Sequence, residues 1–443
     1  MNIIHGIFGM IGLIGIAWLF SNNKRNVNWN LVARGMALQI GLGIFIIKGS
    51  DMGEFFAPLG WPQWVFSQIS SFFVLLLGYT TEGARFIFGD LALSPGMEGS
   101  MGSFFAFQVL PTIVFFASIT TILYHYGILQ KIVALMAKGM RKLMGVSGAE
   151  SLSVTGNIFV GQTESPLLIK PFIEGMTRSE LLAVMTGGMA TIAGGIMAVY
   201  IQMLGDTYAM VNEVSIEYAR QMFAEQLLGA SIMAAPGALV IAKIFYPEDK
   251  TPETMGDIEA DVERPDENGI EAAASGATEG LKLALNVGAM LLAFIAIIAM
   301  INSFLSWFGD ATTLSSIIPA DDFTLDTILG WLFAPVALLI GIPLEDVLAT
   351  GGLMGIKIVS TEFIAYLGLL ELIEQQAIEP KTIAMATFAL CGFANFASIA
   401  IQIGGIGGLA PGRKAELAEF GIKAVIAGSI VNLMNAAIAG ILF

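Results

Sequence analysis

The chain has 443 residues, 56% of them hydrophobic and 13% charged, and its mean hydropathy is +0.77. Soluble domains run about 45–50% apolar and about 25% charged, so this composition is that of a polytopic membrane protein. The net charge of −15 argues against nucleic acid as a partner; the single cysteine, Cys391, excludes an internal disulfide or cysteine metal cluster; and His5 and His125, the only histidines, exclude a histidine relay or zinc site.

A spanning helix needs ~20 apolar residues, and eight stretches read as spans, at about 4–21, 34–49, 102–124, 181–204, 226–246, 281–307, 382–404 and 420–442. The first apolar run, 7–20, has no basic n-region and no small-residue cleavage site, so it reads as a retained helix. Lys24, Arg25 and Arg34 flank the first loop; Lys131, Lys138, Arg141 and Lys142 follow the third span; Lys243, Lys250 and Lys282 frame the fifth connection; and Arg413 and Lys414 precede the eighth span. The alternate loops are acidic, with Asp51, Glu54, Glu82 and Asp90, then Asp206, Glu213 and Glu217, then Asp310, Asp321 and Asp322. Cations collect on cytoplasmic loops, so eight spans with both termini outside satisfy every loop.

Three amphipathic runs read as helices lying at the interface: 61–80, 127–145 and 326–341. The first, which carries Trp61, Trp64, Phe66, Phe72 and Phe73, has a ninth span as its alternative reading. Residues 247–280, acidic and rich in Pro, Ala, Gly and Ser, read as a solvated cytoplasmic linker.

Between the third and fourth spans, the run from Gly156 to Pro166 puts glycines, a proline, Asn157, Gln162 and Glu164 where a membrane segment should be hydrocarbon. A carboxylate at bilayer depth costs ~2.5–3.5 kcal/mol on insertion scales, and such groups mark binding sites. The run has an echo. Leu143-Met144-Gly145-Val146, Glu150, Thr155-Gly156 and Thr163-Glu164 are followed much later by Leu339-Ile340-Gly341-Ile342, Glu345, Thr350-Gly351 and Thr361-Glu362. The first copy enters from the cytoplasmic side and the second from outside. Paired interrupted segments in inverted repeats point to the midplane site of a secondary transporter. The expected architecture is therefore all-α, with eight transmembrane helices, two opposed re-entrant hairpins and interfacial helices. Hairpin tips free backbone N–H and C=O groups, which are tolerated only against a cavity, protein or ligand.

The residues at the tips suggest chemistry. Glu164 and Glu362 could hold a cation, accept from hydroxyls or trade a proton; alternatively each pairs with a nearby lysine, Lys170 or Lys357. Gln162 offers a donor and an acceptor, which suits the edge of a planar base. Asn395 and Ser398 share one helix face beside the aromatic Phe393, with structural packing as the competing reading. Asn157, Thr191 and freed carbonyls near Val160 and Ile192 are hard oxygen ligands suited to Na+. A membrane-embedded enzyme using the two glutamates as acid and base lacks a nucleophile or metal cluster. A passive channel would not accumulate its solute.

Three strings carry a resemblance: GNIFVGQTESPLLIKPFI, GIKIVSTEFIAYLGL and CGFANFASIAIQIGGIGGLAPGRK. Together they resemble the concentrative nucleoside transporters in their short bacterial form, over nearly the whole chain and most densely from about 127 onward. The resemblance implies a homotrimer in the bacterial inner membrane, built of a scaffold and a mobile transport domain, that carries nucleosides such as uridine. Residues 1–125 and 281–310 would be scaffold; 126–246 and 311–443 would be the two transport repeats. By similarity, Gln162, Thr163 and Glu164 face the nucleobase with Ile196 and Phe393 near it, and Glu362, Asn395 and Ser398 bind the ribose. Asn157, Val160, Thr191 and Ile192 surround one Na+, two of them through main-chain carbonyls. The chain departs from the pattern at Thr361, where relatives commonly carry Asn, and at Thr191, where Ser is common. Na+-driven symport is the implied activity, with H+ coupling as the alternative.

Overall fold

The computed structural model describes every residue except 1, 96, 98, 257–265 and 313–322, with residues 2, 3 and 310 described by backbone alone. The expected outer acids Asp321 and Asp322, and the middle of the expected linker, lie outside the described residues. Among the described residues every regular element is helical: α1 Asn2–Leu19, α2 Trp29–Phe55, α3 Trp61–Phe88, α4 Phe105–Gln108, α5 Leu110–His125, α6 Ile128–Met144, α7 Gly148–Gly156, α8 Arg178–Ala190, α9 Gly194–Asn212, α10 Ile216–Phe245, α11 Gly269–Thr312, α12 Leu325–Leu339, α13 Val347–Val359, α14 Glu362–Glu374, α15 Pro380–Leu390, α16 Phe396–Leu409 and α17 Lys414–Leu442. Each expected span is found. Apart from a one-residue turn at Val109 between α4 and α5, two of them are broken, at 191–193 between α8 and α9 and at 391–395 between α15 and α16.

Small residues set the helix spacing. Gly35 packs on Val240 and Gly43 on Met233, so α2 and α10 run antiparallel at close range. Gly276 against Thr121 and Gly280 against Ala117 seat α11 antiparallel to α5. Gly6 packs on Ile441, which brings the start of α1 to the end of α17 and both termini to one end of the bundle. The most buried layer is α8, α9, α10 and α17, where Tyr200, Phe223, Phe245 and Phe420 are fully enclosed.

The first amphipathic run is longer than expected. α3 has 28 residues, and by length and composition the stretch Ala57–Ala92 is apolar enough to cross a membrane. Its neighbours describe another path. Gln63 sits on Gly49 near the end of α2, and Phe88 stacks obliquely on Phe107 just before α5 begins. The end of α2 and the start of α5 lie at the same end of the bundle, because α2 runs antiparallel to α10, α10 to α9 through Gly205 on Arg220, and α9 to α5 through Thr112 on Gln202. Both ends of α3 therefore rest at one level, as a helix lying along that face requires, and Trp61, Trp64 and Phe72 are exposed along it.

Hairpin 1 is α7, a turn at 157–164, and a 3-10 segment Ser165–Gly175. Pro166 and Pro171 remove the N–H groups that an α-helical return arm would need. Its feet are tied down. Ser147 and Glu150 cap α7 reciprocally, Thr177 and Glu180 do the same for α8, and Ser147 Oγ donates to Glu180 Oε1 at 2.6 Å. Lys243 pairs with Glu150 at 2.8 Å and Glu248 at 3.1 Å. Gly148 N–H donates to the Thr254 carbonyl at 2.7 Å, and Arg413 Nη1 donates to the carbonyls of Ile173, Glu174 and Met176 at 3.0, 3.1 and 2.7 Å.

Hairpin 2 is α13 and α14 around Ser360 and Thr361. Gly145 and Gly341, equivalent in the two repeats, both adopt left-handed φ, +74° and +94°, and end the amphipathic helices α6 and α12. Two expectations are corrected. The echo of Glu150 at Glu345 is sequence-deep only: Glu345 is exposed, and the buried acid is Asp346, which accepts from Glu379 N–H and Thr382 Oγ1. The linker is also shorter than 247–280. Residues 247–256 pack under hairpin 1, and α11 already begins at Gly269, where the Asn268 side chain accepts from the N–H groups of Ile270 and Glu271 ahead of an alanine-rich turn.

Candidate substrate site

The two hairpin tips and both helix breaks converge on one cavity of about 230 Å³. Gln162, Thr163 and Glu164 reach it from hairpin 1, Glu362 from hairpin 2, Ile196 from α9, and Phe393, Asn395 and Ser398 from the second break. All eight substrate candidates chosen from the sequence thus line one space.

Local structure explains each position. Thr361 caps α14 by accepting from Ile364 N–H at 3.4 Å, which sets Glu362 in the first turn at a positive helix end. Asn395 caps α16 by accepting from Ser398 N–H at 2.9 Å. That bond orients the Asn395 amide, so its Nδ2 donates to Glu362 Oε2 at 2.8 Å. Tyr200 O–H donates to Glu362 Oε1 at 3.1 Å. Glu164 is exposed, but to the cavity, and accepts from Gly161 N–H. Thr163 lies against Gly405, where a Cβ would stand 2.7 Å from its Cγ2. The alternative pairing of Glu362 with Lys357 is not made: the Lys357 ammonium donates to the Ala389 carbonyl at 2.8 Å and to Asn432 Oδ1 at 2.7 Å.

The four cation candidates sit behind the first tip. Gly194 N–H donates to the Phe159 carbonyl at 3.1 Å, joining the tip to the first break, and Phe393 N–H donates to the Thr191 carbonyl at 3.3 Å, joining the two breaks. Asn157, Thr191 and Ile192 are buried there, while Val160 borders a second, wider cavity. Asn157 Nδ2 donates to the Ser153 carbonyl at 3.1 Å, yet its Oδ1 is buried without a donor among the described residues. Thr191 Oγ1 spends its proton on the Gly187 carbonyl at 2.9 Å and keeps its lone pairs. A buried amide oxygen left without a donor and a hydroxyl that keeps its lone pairs are both hard oxygen ligands of the kind that fit such a cation.

The second cavity, about 1070 Å³, shares Gly161, Glu164, Ala193, Ile196 and Leu283 with the first. It runs toward Lys170, Glu279 and Lys282, so the site communicates with the end of the bundle where the connecting-loop cations lie.

Sequence reasoning missed three contributors. Leu283, Val287, Met290, Leu291 and Phe294 of α11 form an apolar wall of the cavity; in sequence they are indistinguishable from lipid-facing residues. Tyr200 was legible only as a tyrosine inside an apolar run. Gln402, 3.0 Å from Gln162 Oε1, was legible as an amide one turn after Ser398.

Known proteins resemble this chain in sequence and in overall fold. Residues 8–91 match the family model described as the Na+ dependent nucleoside transporter N-terminus, 106–207 that described as nucleoside recognition, and 226–440 that of the Na+ dependent nucleoside transporter C-terminus. The chain is 43% identical to an uncharacterized transporter of Bacillus subtilis over 99% of both chains. It is 38% identical to the nucleoside permease NupC of Helicobacter pylori, over 98% of this chain and 96% of that one. It is also 37% identical to human sodium/nucleoside cotransporter 1, over 97% of this chain and 62% of that protein. Among solved structures, CNTnw in an inward-facing substrate-bound state superposes with a TM-score of 0.84 at 39% identity, covering 100% of this chain and 99% of that one. A variant of CNTnw in an outward-facing state gives a TM-score of 0.85.

Proposed function

Because the chain belongs to the concentrative nucleoside transporter family, whose members are transporters and not enzymes, we propose that it is a Na+-coupled symporter. In this reading it carries nucleosides such as uridine into the cell by alternating access. The observation that carries the reading is the single cavity bordered by both hairpin tips and both helix breaks, with a carboxylate from each hairpin.

In this reading Gln162, Thr163 and Glu164 meet the nucleobase, with Ile196 and Phe393 packing against it. Glu362, held by Tyr200 and Asn395, accepts from ribose hydroxyls; Asn395 and Ser398 complete that half. Asn157 Oδ1, Thr191 Oγ1 and the Val160 and Ile192 carbonyls hold one Na+ behind the first tip, close enough to steady the tip when substrate is bound. The opening of the site toward Lys170 and Lys282 is that of an inward-facing state, given cations on the cytoplasmic side. The protein then works as a homotrimer in the bacterial inner membrane with both termini outside. A shared end of the bundle for the two termini supports the last point.

The test is uridine uptake into proteoliposomes under an inward Na+ gradient, against choline replacement and against a proton gradient alone. Accumulation only with Na+ is expected. Accumulation in choline driven by protons would replace Na+ with H+ as the coupling ion.

A further inference from the structure

The side-chain amide of Gln162 is held in one orientation, and the residue that holds it lies outside the cavity. The Met185 carbonyl can only accept, so the Gln402 atom 3.0 Å from it is Nε2. The same nitrogen gives its second proton to Gln162 Oε1 at 3.0 Å. Gln162 Nε2 is left facing Ser398 Oγ at 3.1 Å. Ser398 borders the cavity, whereas Gln402 and Met185 do not. The carbonyl end of the Gln162 amide is therefore turned into the wall, and its N–H end toward the substrate space.

Gln402 is wholly buried, and its own Oε1 has no donor among the described residues. An unsatisfied buried oxygen costs about 1–3 kcal/mol, so an apolar side chain would serve packing better at this place. The neighbouring helix is shaped to the amide pair: a Cβ on Gly188 would stand 2.7 Å from Gln402 Nε2 and 2.8 Å from Gln162 Cβ.

Uracil and cytosine present reversed donor and acceptor orders on the edge that an amide reads. An amide free to rotate by half a turn serves both; an amide held in one orientation leaves a buried polar group unpaired with one of them. We propose that Gln402 is a positioning residue that fixes the Gln162 amide and thereby makes the base site discriminate between imide-edged and amino-edged pyrimidine nucleosides. The inference rests on the nucleoside reading of the cavity given above.

The experiment measures KM and Vmax for uridine and cytidine in proteoliposomes, for the wild type, Gln402→Leu and Gly188→Ala. The wild type should favour one of the two nucleosides at least ~10-fold in Vmax/KM, the size of a one-hydrogen-bond difference. In Gln402→Leu the preference should shrink to within ~3-fold through KM, with Vmax changed less than ~2-fold. Gly188→Ala should move it the same way by displacing the pair sterically. The proposal is overturned if the wild type handles both within ~3-fold. It is equally overturned if folded Gln402→Leu keeps the wild-type ratio, or loses both substrates in proportion, as a merely structural residue would. If Gln402→Leu does not fold, Gly188→Ala is read by the same criteria. Wild type that takes up no nucleoside at all sinks the underlying reading, and this proposal with it, and is distinguishable from a failed lock.

Discussion

Asn432 accepts the Lys357 ammonium on its Oδ1 at 2.7 Å, while its Nδ2 donates to the carbonyls of Ala190 at 2.8 Å and Cys391 at 2.6 Å. One side chain of the last helix thus binds hairpin 2 and the C-terminal ends of the helices before both breaks. Lys357 is held without a carboxylate partner among the described residues; oxygen dipoles and the negative end of α15 balance its charge. Removing Asn432 as Asn432→Leu should cost about 1–3 kcal/mol for each polar group left bare, seen as a melting temperature lowered by several degrees in detergent. Adding Lys357→Met should recover part of that loss, because removing both partners costs less than stranding one. A double variant less stable than Asn432→Leu alone would contradict the pairing.

Glu362 is expected to be the most sensitive residue of the cavity. Glu362→Gln should lose uptake by about 10–100-fold, the range for a hydrogen bond to a charged group, with an unchanged gel-filtration profile. Tyr200→Phe removes only one donor to the same carboxylate and should lose about 3–10-fold. Wild-type uptake by Glu362→Gln would remove the ribose from this side of the site.

Asn157→Ala deletes the orphaned oxygen behind the first tip. The Na+ concentration for half-maximal uptake should rise about tenfold, equivalent to ~1.4 kcal/mol, with a smaller effect on the nucleoside KM at saturating Na+. A Na+ titration of uptake reads this directly. A variant with unaltered Na+ dependence would place the ion elsewhere.

The route to the site is open to chemical labelling. Cys391 is fully buried, with its thiol against Leu227 and Ser231, so it should be silent to maleimides in the folded protein. Leu167, exposed in the wide cavity, should as Leu167→Cys react with a membrane-impermeant maleimide from the cytoplasmic face of inside-out vesicles and be protected from outside. Reaction from the outer face alone would reverse the assigned orientation.

The architecture was largely readable because membrane constraints are harsh. Apolar runs had to be helices, and polar residues at 157–164 and 361–362 could be justified only by something to bind. The repeat was readable in Gly145 and Gly341, where the backbone demanded glycine twice. Other features left no mark of that kind. The α11 wall is apolar whichever way it faces, so Val287 and Leu291 carried no signal. The extent of the linker was hidden because an acidic, alanine-rich stretch suits either a solvated coil or the first turns of a helix. Glu345 and Asp346 are adjacent acids, and only packing decides which is buried. The orientation of an amide, as at Gln162, depends on a carbonyl in another helix.

The feet of hairpin 1 have a consequence for how the protein is made. One foot is closed by Thr254 and the other by Arg413, about a hundred and more than two hundred residues later in the chain. Synthesis proceeds from the N-terminus, so the first half of the site is produced early and waits, unsealed, for the segments that finish it. A nascent chain that ends before residue 254 lacks the partner for one foot, and one that ends before residue 413 leaves three carbonyls uncapped at the other. The half of the site that is made first is thus finished late, and a functional cavity is among the last features of this molecule to exist.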